Sequence, residues 1–205
     1  MTVLDQLSRR WVGRFGVMAF VIASLAVGRA VGGDLPDGLA IMAEPHDRQA
    51  TLAEPVELRN TTLTVTKVTV ADALTDELEL SVTDTPGVFV LVELTSAARQ
   101  RNSGPDLISI ASADGTRVWE RTRAINTCLA TQAGLVQQCS MAVELPPQEL
   151  AGTQLRISTT GFDDRFDDRL VLDLGLVPSD AEQAWSLYRV PARTVHAVEQ
   201  DAADE

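Results

Sequence analysis

Histidine and lysine are nearly missing from this chain. Its 205 residues hold two histidines, His46 and His196, and a single lysine, Lys67, beside 16 arginines. Nucleophilic hydrolysis needs a base within reach of the nucleophile, and no histidine stands between positions 46 and 196. The chain also lacks a G-x-S-x-G elbow, a G-x-G-x-x-G turn and a Walker pattern, the motifs of acyl-transfer and nucleotide chemistry. Among its 29 acidic residues no glycosidase-type pair can be singled out. These gaps lead to the expectation of a protein that is not an enzyme and takes no cofactor.

Cysteine is scarce as well, with only Cys128 and Cys139. Two thiols alone do not make a zinc site, and no histidine lies near them in sequence. In an exported domain an even count reads as one disulfide. Closing a loop of about a dozen residues contributes roughly 2.5–3 kcal/mol in the chain-entropy model. The rival, a redox pair, favours C-x-x-C spacing.

Net positive charge is confined to the start of the chain. Residues 1–33 carry Arg9, Arg10, Arg14 and Arg29 against Asp5, a net of +3, and residues 34–205 hold the remaining −15 of a total of −12. An acidic body has no basic footprint for nucleic acid. It suits solubility, or attraction of cations and basic partners.

Long hydrophobic runs are lacking except for one, Phe15 to Gly28. Alone it reaches about 21 Å, short of a ~30 Å hydrocarbon core. Residues 15–33 span if Arg14 and Arg29 snorkel to the two interfaces. Arg9, Arg10 and Arg14 lead the run, which places residues 1–14 in the cytoplasm and the body outside. The rival is a signal peptide cleaved near Gly28 or Ala30, giving a secreted protein. No cysteine follows the run, so a lipoprotein anchor is excluded. Residues 34–56, rich in proline and without period, read as a linker.

From Leu58 the pattern has period two. In "TTLTVTKVTV", Leu63 and Val65 share one face; Thr66 and Lys67 then break phase before Val68 and Val70, as a β-bulge would. "ELELSV" alternates Leu78, Leu80 and Val82 as an inward face. "GVFVLVELT" is apolar on both faces and suits a central strand. Asp114-Gly115 marks a hairpin in which both residues have φ > 0. "CSMAVELPP", "TQLRIS" and "RLVLDLGLV" supply Met141, Val143 and Leu145, then Leu155 and Ile157, then Leu170 to Leu176 at every second position. The expected body, 57–178, is an all-β sandwich of about seven or eight strands. In the tail, 179–205, Ser179 and Glu182 have capping-box spacing for a short helix to about Arg189. An acidic flexible end follows.

The order of these motifs resembles the telokin-like, immunoglobulin-like extracellular domains of Gram-positive bacteria. Val65 to Val70, Phe89 to Thr95, Ala113 to Gly115 and Val143 to Pro146 stand where that family has its early strand, central strand, D-G hairpin and final V-P strand. The similarity covers roughly 56–176. It departs at Ser96 to Arg99, where the family has K-N. The resemblance implies an immunoglobulin-like sandwich acting as a binding or accessory module of the cell envelope, and the alanine-, valine- and arginine-rich composition suggests an actinobacterial source.

Two places then compete as sites. "FDDRFDDR" gathers Asp163, Asp164, Asp167 and Asp168 as a candidate cation site. Its adjacent pairs lack the D-x-D-x-D-G spacing of a calcium loop, and Arg165 and Arg169 oppose a cation, so the alternative is a polar turn into the last core strand. Trp185 and Tyr188 lie beyond the expected sandwich, where they either pack back onto its flank or, as exposed aromatics, dock on a partner protein or the lipid interface. The resulting expectation is a single-pass accessory protein with the bilayer and a membrane or envelope protein as partners, without nucleic acid. An anchored or secreted ligand- or cation-binding protein, or an enzyme with an unrecognised site, is the alternative.

Overall fold

A computed structural model describes residues 20, 22–24, 44–76, 78–159 and 167–197, with the backbone alone at 123 and 124. The chain divides into two units, 1–44 and 45–205. In the first, Phe20 and residues 22–24 are helical. The rest of the expected membrane segment, with Arg9, Arg10, Arg14 and Arg29, lies outside the described residues. Among the described residues no helix is long and apolar enough to cross a membrane.

The second unit is a β-sandwich. Its strands among the described residues are β1 (His46–Ala50), β2 (Val56–Glu57), β3 (Thr61–Thr75), β4 (Val82–Ala98), β5 (Leu107–Ala111), β6 (Val118–Asn126), β7 (Leu135–Leu145), β8 (Gln154–Ser158), β9 (Asp168–Asp173), β10 (Tyr188–Arg189) and β11 (Thr194–Ala197). The first sheet runs β1-β9-β8-β5-β6, and the second runs β6-β7-β4-β3-β10, with β2 on β3 and β11 on β7. β6 belongs to both. Val118 to Glu120 pair with β5, whereas Arg121 and Asn126 pair with β7.

Alternation builds the core as the sequence indicates. Val88, Val90 and Val92 of β4 face the first sheet's Ile108, Ile110, Leu155, Ile157, Leu170 and Leu172, together with Met141, Val143 and Leu145 of β7. The phase slip at Thr66 is a bulge, a register shift between Val65 and Lys67. Cys128 and Cys139 form the disulfide, with Cα atoms 5.0 Å apart, and both are buried in the same core.

Eleven strands stand among the described residues where about seven or eight were expected, Asp114 does not share the positive φ of Gly115, and four further expectations need correction. First, residues 78–81 of "ELELSV" form the turn between β3 and β4, Val82 opens β4, and Leu78, Leu80 and Val82 are 73%, 79% and 60% exposed. Asp76 organises that turn: its carboxylate accepts from the Leu80 N–H at 2.8 Å and the Ser81 hydroxyl at 3.1 Å, and alternation without a pairing neighbour makes no strand. Second, the linker ends earlier. His46–Ala50 pair in parallel with β9 from Asp168 to Leu172. Third, the tail helix covers only Pro178–Glu182, and Asp180, rather than Glu182, turns back to accept the Val177 N–H at 2.8 Å. Fourth, the tail is part of the sandwich. Tyr188 and Arg189 pair with Leu74 and Thr75, and β11 pairs with Leu135 to Gln138.

The tail covers a second, smaller core. Phe89 and Leu91 lie on the face of β4 opposite Val88 and Val90. They are buried with Ala71, Leu74 and Ala142 under Val190, with Tyr188 and Ile125 against them. Pro191 and Ala192 then pass beside Glu93 and Thr95 of β4 and Gln138 of β7. Arg193 Nε donates to Gln137 Oε1 at 2.9 Å. A sandwich that stopped at Val177 would leave Phe89 and Leu91 in water.

Candidate binding surface on the tail and the β3–β4 turn

Trp185 is fixed by its backbone, and its ring rests on Tyr188 with the residue open to solvent. Its N–H donates to the Val70 carbonyl at 3.0 Å, and its carbonyl accepts from Asp72 N–H at 2.8 Å. The residue is 60% exposed, and Leu187, two positions on, is exposed as well. Tyr188 is half-buried and meets Trp185 edge to face, the ring centroids 5.7 Å apart at 77°, a favoured aromatic geometry. The sequence thus named two residues that do come together. Their roles differ: Tyr188 packs inward and Trp185 is presented.

A polar relay holds Tyr188 in place. Lys67 Nζ donates to its hydroxyl at 2.5 Å, and that hydroxyl donates to Glu93 Oε1 at 2.9 Å. The hydrogen bond to Tyr188, ahead of the nearby Glu93 charge, raises the Lys67 pKa above the usual lysine value. A raised pKa keeps the amine protonated, which suits a structural cation and not a catalytic base.

The tail continues to the β3–β4 turn. Val190 N–H donates to the Thr75 carbonyl at 2.9 Å, and Arg189 pairs with Glu79. There a cleft of about 370 Å³ opens between Leu74, Leu78 and Thr83 on one side and Ile125, Val190 and Pro191 on the other. Leu78 and Asp76 line it, and Leu80 and Val82, close to Leu78 in the chain, are exposed like it. Sequence reasoning missed these leucines because it buried them. Their signal was the short apolar–acidic alternation lying between two longer β-like runs.

The aspartate cluster is divided. Asp163 and Asp164 lie outside the described residues. Asp167 is buried, its Oδ2 accepting from the Thr159 hydroxyl at 3.3 Å and its carbonyl from His46 N–H at 2.8 Å. Asp168 accepts from Arg48 Nε at 3.1 Å, and Arg169 Nε donates to Asp47 Oδ1 at 2.8 Å. The two ion pairs cross between β1 and β9 and favour one parallel register, since a slip would set like charges together. Among the described residues no group of three His, Cys, Asp or Glu side chains is placed to hold a metal ion.

No protein-family model matches the chain, and no curated protein matches it. Two solved structures are similar to it. One is an uncharacterized beta-sandwich protein from Clostridium difficile 630, 10% identical with a TM-score of 0.45, covering 64% of this chain and 96% of that one. The other is the yjhA protein from Bacillus subtilis, 13% identical with a TM-score of 0.45, covering 60% of this chain and 99% of that one.

Proposed function

We propose that the chain is a single-pass, N-in membrane protein whose extracellular, telokin-like sandwich serves as a non-catalytic accessory domain for a membrane or envelope partner. The observation that carries this reading is Trp185, 60% exposed yet rigidly held by its backbone bonds to β3 and by Tyr188. A large apolar ring costs little entropy to bury when it is already fixed, and such aromatics dominate interfaces. The buried disulfide supports an oxidising compartment. The arginine-flanked run 15–33 supports the anchor, and tethering would raise the domain's local concentration near a membrane partner.

The test uses the full chain in membranes. The domain should resist carbonate extraction and be cut by protease added outside intact cells. Trp185→Ala should abolish a defined crosslink to one partner while leaving the melting temperature within about 1 °C, as expected for an exposed site. Release by carbonate, protection from external protease, or a crosslink indifferent to Trp185 would overturn the proposal.

A further inference from the structure

A groove of about 660 Å³ lies at the corner where β6 leaves the first sheet for the second. Trp119 stands there with one side against the central core. Pro86 and Gly87 continue from the Val88–Leu145 pair alongside Pro146 and Pro147, and the four line the groove together. The β4 side is a bulge: β4 carries Thr85 to Val88 between register pairs that enclose only Asp72 on β3. Gly87 is pressed so closely to β7 that a Cβ would lie 2.6 Å from the Leu145 carbonyl oxygen. Prolines with fixed φ and a glycine without room make walls that are set before any ligand arrives. A preformed site spends little ordering entropy on binding.

The charge of the groove has one sign. Glu120 and Glu144 both line it. Glu120 precedes Arg121 and Glu144 follows its partner Val143, so both carboxylates lie at the same end of that pairing, and like charges brought close destabilise a sheet when nothing lies between them. The neighbouring arginines are engaged elsewhere, Arg117 with Glu149 and Arg121 with Asp106. Glu144 accepts a hydrogen bond from the Thr85 hydroxyl. Carboxylates only accept, so a fitting ligand brings donors and positive charge. An indole face attracts a cation too. The groove is shallow and open, which suits a chain lying across it better than an enclosed small molecule. Aromatic-lined grooves of this kind dock extended, proline-rich segments.

We propose that this groove binds an extended, proline-rich, arginine-bearing segment of a partner protein, with a guanidinium seated over Trp119 between Glu120 and Glu144. It uses neither Trp185 nor the membrane segment, so it stands or falls separately from the function proposed above.

The experiment titrates the full chain with a capped peptide of repeated Pro-Pro-Arg, followed by calorimetry. Saturable binding is expected. Glu120→Gln and Glu144→Gln should each weaken it about tenfold, the effect of losing one charge-assisted contact. Added salt and replacement of arginine by glutamine in the peptide should weaken it too. Both variants should fold at least as stably as the parent, because each removes one of the two like charges. Trp119→Phe should reduce affinity without unfolding the domain. No saturable binding up to about 1 mM peptide, which corresponds to a free energy of ~4 kcal/mol, would overturn the proposal. So would equal affinity in Glu120→Gln, or a neutral glycan binding in place of the peptide.

Discussion

Asp114 shows how much one residue gains inside its own turn. Its carboxylate accepts from the Ser112 hydroxyl at 2.5 Å and from the Thr116 N–H and hydroxyl. The Ser112 bond, then those of Thr116, pull its pKa down to about 2. A depressed pKa contributes stability at pH above the ordinary carboxylate range, and that contribution is lost as pH falls through about 2. An NMR titration should place the Asp114 midpoint near that value, and Ser112→Ala should raise it. The pair Asp114-Gly115 was legible as a hairpin, yet only Gly115 takes positive φ, at 70°, because the turn spans Ser112 to Arg117 and Asp114 serves as its acceptor. Gly87 carries a different demand, since the Leu145 carbonyl leaves no room for a Cβ. Gly87→Ala should therefore lower stability by about 1–3 kcal/mol, read as a lower urea midpoint.

At the scale of elements, pattern reading succeeded where a strand buries a face and failed where it does not. β4, β7, β8 and the β3 bulge were legible because their apolar spacing is dictated by the core. β1 reads His-Asp-Arg-Gln-Ala and buries nothing fully; its place is set by ladder bonds and crossed ion pairs that no hydrophobic period announces. β10 has two residues, too few for any period. β11 is exposed at every position. Turn and strand are confused in the other direction at Leu78 and Leu80, where alternation lies within a turn held by Asp76. The tail offers the sharpest test. Truncation after Val177 should leave a folded sandwich that binds an apolar dye at the uncovered Phe89 and Leu91. Val190→Ala should reproduce part of that effect with a loss of about 1–2 kcal/mol. A truncated chain with unchanged stability and no dye binding would show the second core to be dispensable.

For the whole molecule, fold class and staple were readable and the surface was not. Two cysteines in a chain that otherwise reads as exported sufficed for the disulfide, and they stand eleven positions apart. Reduction should cost roughly 2.5–3 kcal/mol and lower the melting temperature without abolishing the fold, since Cys128 and Cys139 sit within a core of many other side chains. The Trp119 groove escaped pattern reading because it arises where strands depart from regularity, at the β4 bulge and the β6 crossover. Such departures depend on contacts far apart in sequence.

The pairing of β1 with β9 has a temporal consequence. The chain is made from its N-terminus, so His46–Ala50 must wait for Asp168–Asp173 before its ladder can form, and the second core must wait longer for Val190. Distant pairings of this kind slow folding. The β3–β4 hairpin can assemble early, whereas the first sheet's edge stays unsealed until β9 has been made and the hairpin's outer face until Val190 has been made. A pause before residue 173 would expose both at once, and that interval is when such a chain most needs a chaperone.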